Sequence, residues 1–146
     1  MNNTKDLISE AKKLYDNKNF FKAKSYLLSA LKNLKLDNLS KLKLYILISD
    51  ISYKINDFND SELYLLKYIK IDNSNSKVFN WLGNTYQKKR DFVNSEKFYT
   101  KAIDLDKNNQ TALVNLAILY HNLGNKKKAV FFYKKVLDNN PNNIGA

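Results

Sequence analysis

The stretch WLGNTYQKKRDFVNSEKFYTKAIDLDKNN runs from Trp81 to Asn109, and NLAILYHNLGNKKKAVFFYKKVLDNNPNN runs from Asn115 to Asn143. Leu82 and Leu116 hold the same place in the two, each followed by a small residue and then by Tyr86 or Tyr120. Leu82 and Leu116 are 34 residues apart, as are Phe58 and Phe92, and Asn109 and Asn143. A fixed period of this length is the mark of a solenoid, in which one supersecondary unit is written repeatedly and stacked on its neighbours. The period places units at 42–75, 76–109 and 110–143, with a fainter one at 4–37 and Asn38 to Lys41 as a short insertion. We take the four as a single domain.

Each unit holds two stretches with apolar residues at helical spacing, parted by a polar break. In the third unit Phe79, Leu82 and Tyr86 mark the first stretch, and Phe92, Phe98, Tyr99, Ala102 and Ile103 the second. The breaks are Lys18-Asn19, Asn56-Asp57, Arg90-Asp91 and Gly124-Asn125. Asn or Asp comes second every time, as expected where a side-chain oxygen accepts from the free amides that begin a helix. The expected element is a helical hairpin, so the fold class is all-α. Small residues recur in register: Ala11, Ser49, Gly83 and Ala117 in the first helix, and Ala23, Ser61, Ser95 and Ala129 in the second. Two helices close to about 8–10 Å only where little bulk stands between them, so these residues mark the crossing point. Leu27, Leu65, Tyr99 and Tyr133 recur at a further position of the second helix and fill the space beside it.

The set Leu82-Gly83, Tyr86, Asp91-Phe92, Ser95, Tyr99 and Ala102, and the set Leu116-Ala117, Tyr120, Gly124, Ala129, Tyr133 and Pro141, resemble the tetratricopeptide repeat. The pattern departs at Lys126, where the other units have Phe20, Phe58 and Phe92, at Ser52 with Tyr53 beside it, and at Glu10 before Ala11. The resemblance implies a right-handed α-solenoid of four antiparallel hairpins whose concave face is lined by the first helix of each unit. It implies a noncatalytic scaffold or adaptor that binds a peptide or protein segment in that groove. By position the groove candidates are Lys12, Lys43, Asp50, Lys77, Asn80, Trp81, Asn84, Lys88, Asn115, Ile118, His121 and Asn122. Lys5, Ile8, Ser9, Tyr15, Ile46, Leu47, Tyr53, Lys54, Gln87, Thr111 and Val114 belong to the same faces. Lysines outnumber aspartates among them, which favours an acidic or neutral partner over a basic one. Asparagine amides both donate and accept, so they suit the backbone of an extended peptide.

Co-chaperone members of the family hold a chaperone's C-terminal carboxylate with lysine, asparagine, asparagine, lysine and arginine at set positions. Asn84 and Asn115 fit the asparagine pair, but Asn80 replaces a lysine, and Ile46 and Asp50 replace the opening lysine and asparagine. Trp81, the single tryptophan, is either an aromatic anchor for a partner or a cover for the seam between the second and third units. His121 is the only histidine and has neither a cysteine nor a matched carboxylate nearby, so it reads as a solvated groove residue.

Composition narrows the rest. The chain has 146 residues, 44% of them hydrophobic, enough for a core, and no cysteine for disulfides or thiolate metal sites. No apolar run approaches the roughly 20 residues that span a bilayer. We therefore expect a cytoplasmic protein without membrane insertion. There is no glycine-rich phosphate loop, metal-ligand cluster or nucleophile with a matched base, so no cofactor, metal or catalytic residue is assigned. The net charge of +11 raises a nucleic-acid reading. It is set second because abundant Lys, Asn, Ile and Tyr are what an AT-rich genome produces without selection for binding, and Lys126-Lys127-Lys128 and Lys134-Lys135 read as a solvated face. Val130, Phe131, Phe132 and Leu137 give the last helix more apolar surface than one neighbour covers. A longer parent chain, self-association through that helix and a docking surface are the three accounts of it. The rival functions are a recruiting segment of a larger enzyme, such as a glycosyltransferase, and an RNA-associated adaptor.

Overall fold

The computed structural model describes residues 4–139, so Pro141 and Asn143 lie outside the described residues. Among the described residues there are eight helices and no strand: α1 (Thr4–Asp16), α2 (Phe20–Asn33), α3 (Asn38–Lys54), α4 (Phe58–Ile71), α5 (Ser76–Lys88), α6 (Phe92–Leu105), α7 (Gln110–Asn122) and α8 (Lys126–Asn139). None of them is long and apolar enough to cross a membrane. The chain forms two compact units, Met1–Asn73 and Ser74–Ala146, each built from two hairpins.

The turns inside the hairpins share one device. Lys18, Asn56, Arg90 and Gly124 all have positive φ, at 58°, 62°, 62° and 77°. This left-handed residue folds the chain back so that the next amide reaches the carbonyl five residues earlier: Asn19 to Leu14, Asp57 to Ser52, Asp91 to Tyr86 and Asn125 to Tyr120, all at 2.8 or 2.9 Å. The following helix is then capped from the same residue. Asp57, Asp91 and Asn125 accept from the amides of Asp60, Asn94 and Lys128. Asn19 departs from the expectation, for its side chain makes no cap bond. Its backbone angles match those of Asp57, so the departure is one of the side chain and not of the turn. The four inserted residues 38–41 form the first turn of α3, capped by Asp37 on the Ser40 amide.

The crossing residues are where the period put them. In the first unit Ala11 and Ala23 are at most 1% exposed, inside a core with Leu7, Leu27, Leu44, Ile48 and Ile51, and Ser61 is buried to the same degree. In the second, the Ser95 hydroxyl donates to the Gly83 carbonyl at 2.9 Å, which a helix can do only where the two backbones nearly touch. A methyl group on Gly83 would fall onto the Tyr99 ring, 2.5 Å from Cε1. Aromatic rings reinforce each hairpin in two ways. In the first unit Tyr15 meets Phe20 and Tyr53 meets Phe58 edge to face across the turn. In the second the equivalents of Tyr53 are Gln87 and His121, and parallel pairs take over, Tyr86 on Phe98 and Tyr120 on Phe132.

A contact without any sequence signal also appears in the first unit. Lys24 on α2 is 8% exposed, and its ammonium sits 2.8 Å from Asp57 and 2.7 Å from Asp60 at the start of α4. Burial alone would lower its pKa; hydrogen bonds to the two carboxylates outweigh that and raise it. Lys24 in turn holds the Asp57 carboxyl below the ordinary carboxylate range, helped by the Asp60 amide.

Candidate functional site

The first helices of the hairpins carry the candidate residues, and each unit presents its own face. In the Met1–Asn73 unit this face belongs to α1 and α3. The Tyr15 hydroxyl donates to Asp50 at 2.8 Å, the Lys54 ammonium donates to the same carboxylate at 2.9 Å, and it also lies 5.2 Å from the centre of the Tyr15 ring. Burial pulls the Lys54 pKa down, and its bonds to Tyr15 and Asp50 more than restore it. The charge of Asp50 is thus spent inside the unit. Lys5 and Lys12 on α1 and Lys43 on α3 are exposed. Ile8 and Leu47 are partly buried against the core, and burial raises the pKa of the Tyr53 hydroxyl.

In the Ser74–Ala146 unit α5 and α7 form the face, and its centre is a chain of amides. The Asn115 side-chain NH2 on α7 donates to the carbonyls of both Asn80 and Asn84 on α5, each at 3.1 Å. The Tyr99 hydroxyl comes up from α6 and lies 2.6 Å from the Asn84 oxygen and 2.7 Å from that of Gln87. One hydroxyl has one proton, so it donates to one amide oxygen, and the other amide must turn its NH2 group toward the phenol. Asn80 is 4% exposed, whereas Asn84 and Asn115 are half-buried. The asparagines are therefore prearranged, each amide held in orientation by its neighbours.

The structure gathers Asn80, Asn84, Asn115 and Gln87 into one network, and ties Asp50 to Tyr15 and Lys54. Lys12, Lys43, Lys77, Lys88, Ile118, His121 and Asn122 are exposed on the same helices, and Trp81 is 38% exposed on α5. Tyr99 is the member that sequence reasoning missed. Its register marks it in the sequence as a packing residue, and a hydroxyl at a position that Leu27 and Leu65 fill elsewhere is the available signal.

The tetratricopeptide repeat profiles match residues 42–75, 76–109 and 111–143, most of the chain. The chain belongs to the tetratricopeptide repeat family. Its all-α solenoid of hairpins is shared with solved members. The crystal structure of MamA superposes with a TM-score of 0.85 at 19% identity, covering 96% of this chain and 80% of that one. YrrB, described as a TPR protein with an unusual peptide-binding site, superposes with a TM-score of 0.81 at 13% identity over 97% of this chain and 71% of its own. A tetratricopeptide repeat protein from Parabacteroides merdae reaches 0.88 at 16% identity, over 97% and 55%. At these identities the likeness is one of fold. No curated protein matches the sequence.

Proposed function

We propose that this tetratricopeptide repeat chain is a noncatalytic interaction scaffold, and that the α5–α7 face holds an extended peptide segment of acidic or neutral character. The observation that carries this reading is the amide chain itself: Asn115 bound to Asn80 and Asn84, with Asn84 fixed from beneath by Tyr99. Amides held in register present donors and acceptors to a peptide backbone without losing further side-chain entropy on binding. Exposed Lys77 and Lys88 on α5 add positive charge at either end of the helix, and Trp81 offers an aromatic anchor. The peptide-binding site described for YrrB supports placing a ligand on a scaffold of this fold.

The test is a random dodecamer peptide array probed with the purified chain and with Asn115→Ala and Trp81→Ala variants whose circular dichroism matches the parent. We expect retained peptides to be acidic or neutral, and both variants to lose at least about tenfold in affinity, the scale of one well-placed interface contact. Retention of mainly basic peptides, or a set indifferent to Asn115, overturns the reading.

A further inference from the structure

The outer side of α8 carries exposed apolar side chains. Tyr133 occupies the register position of Leu27, Leu65 and Tyr99, which are 0%, 1% and 0% exposed, yet Tyr133 is 37% exposed. Val130 and Leu137 join it at 51% and 43% exposure. The three lie at spacings of three and four residues, which makes them one stripe along the helix. Ile118 on α7, 39% exposed, holds the place of Asn84, the residue that Tyr99 reaches in the hairpin before it. Ile118 and Tyr133 therefore belong to one apolar patch by the register of the repeat. Lys126, Lys127 and Lys134 stand exposed along its borders. Lys128 and Lys135 are engaged elsewhere, the first over the Tyr120 ring and near Glu96, the second over the rings of Phe131 and Phe132.

We infer that this face of α8 is a docking surface for an amphipathic helix of a partner protein, leucine-rich on one side and bordered by acidic residues. The nearest precedent lies one hairpin earlier, where Leu113 and Leu116 of α7 line one cavity with Thr100 and Ile103 of α6. The same positions on α8 are Lys134 and Leu137, so a helix laid there as α7 lies on α6 meets a leucine and a lysine side by side. That pairing selects the occupant: apolar side chains where α7 has its leucines, and carboxylates beside them.

A second copy fits less well. Stacked head to tail, it would offer α1, which has Asp6, Glu10 and Lys13 where α7 has Ala112, Leu116 and Leu119. Those three are exposed, and Lys13 and Glu10 are paired at 3.6 Å, so α1 would set charges against Leu137 and Tyr133. Stacked α8 to α8, the copies would set lysines against lysines.

The probe is a synthetic peptide of the α7 sequence, Gln110 to Asn122, with its outward residues changed to glutamate, titrated calorimetrically into the intact chain. A second peptide carries lysine in place of those glutamates, and a third keeps the glutamates but has serine for each leucine. We expect saturable binding of the first alone, a drop of at least tenfold with Val130→Ser/Leu137→Ser, and a reversal of peptide preference with Lys127→Glu/Lys134→Glu. Asn115→Ala must leave this binding unchanged, which separates the surface from the α5–α7 face. Equal binding of the leucine-free peptide would reduce the effect to counterion exchange and overturn the proposal. So would indifference to the α8 variants, or a dimer in sedimentation that the Leu137→Ser change dissolves, since the second copy would then be the occupant.

Discussion

At the scale of single residues the structure marks three positions where a change has a defined sign. Gly83 lies under the Tyr99 ring, so Gly83→Ala forces the ring or the helix to move and should cost about 1–3 kcal/mol. A thermal melt equal to that of the parent would show that the crossing point is elsewhere. The Ser52 hydroxyl is fully buried and has no hydrogen-bond partner. Ser52→Ala removes that unmet group and should gain about 1 kcal/mol, read as a higher denaturation midpoint. Arg90 bears a φ of 62°, a region where a side chain on Cβ is strained by roughly 1–2 kcal/mol. Arg90→Gly should recover about half of that, the rest being lost to the greater freedom of glycine in the unfolded chain. The same change at Ala129, in the interior of α8, should do the opposite, and the two melts together check the argument.

At the scale of helices the period in the sequence was enough to place the hairpins. Apolar spacing, the paired small residues and the Asn or Asp after each break are local signals, and local signals survive in one dimension. The left-handed turn residue was not legible, because Lys18, Asn56 and Arg90 stand where only the fourth turn has glycine. Nor was the Lys24 clasp, since its partner Asp57 lies 33 residues away and one lysine among many has no distinguishing mark. The asparagines were legible as candidates, but their mutual bonds appear only when α5 and α7 lie side by side. The clasp leads to an asymmetry. Asp57 and Asp60 are 41% and 35% exposed at their side chains, against 10% for Lys24. With Lys24→Met, water takes over the two carboxylates and the cost should stay near 1 kcal/mol. With Asp57→Asn and Asp60→Asn together, a buried ammonium loses its partners and the cost should reach about 3 kcal/mol.

The clasp also sets a pH window. The Asp57 pKa is depressed below 3.8, so its contribution is present above that value and lost as pH falls through the lower folded value. The Lys24 pKa is raised above 10.5, so its contribution is complete below that value and lost as pH rises through the higher folded one. Between these limits the clasp should be indifferent to pH. Melting temperatures of the parent and of Lys24→Met, measured across the range, should run parallel in the middle and converge at both extremes.

At the scale of the whole molecule, the charge of +11 predicts polyanion binding that depends on salt rather than on sequence. Each phosphate neutralised releases counterions, so affinity for single-stranded RNA should fall steeply and be lost by about 200 mM salt. Binding that persists above that concentration would give the charge a specific role. The single tryptophan has a further use. Trp81 sits on α5, 38% exposed and next to buried Asn80, so the red edge of the intrinsic emission reports from that one place on the surface. A peptide laid along α5 and α7 would dry the indole and shift its emission to the blue, while a helix seated on α8 would leave the spectrum alone. The unlabelled protein thus carries its own optical probe, and one emission scan would tell the two proposed sites apart.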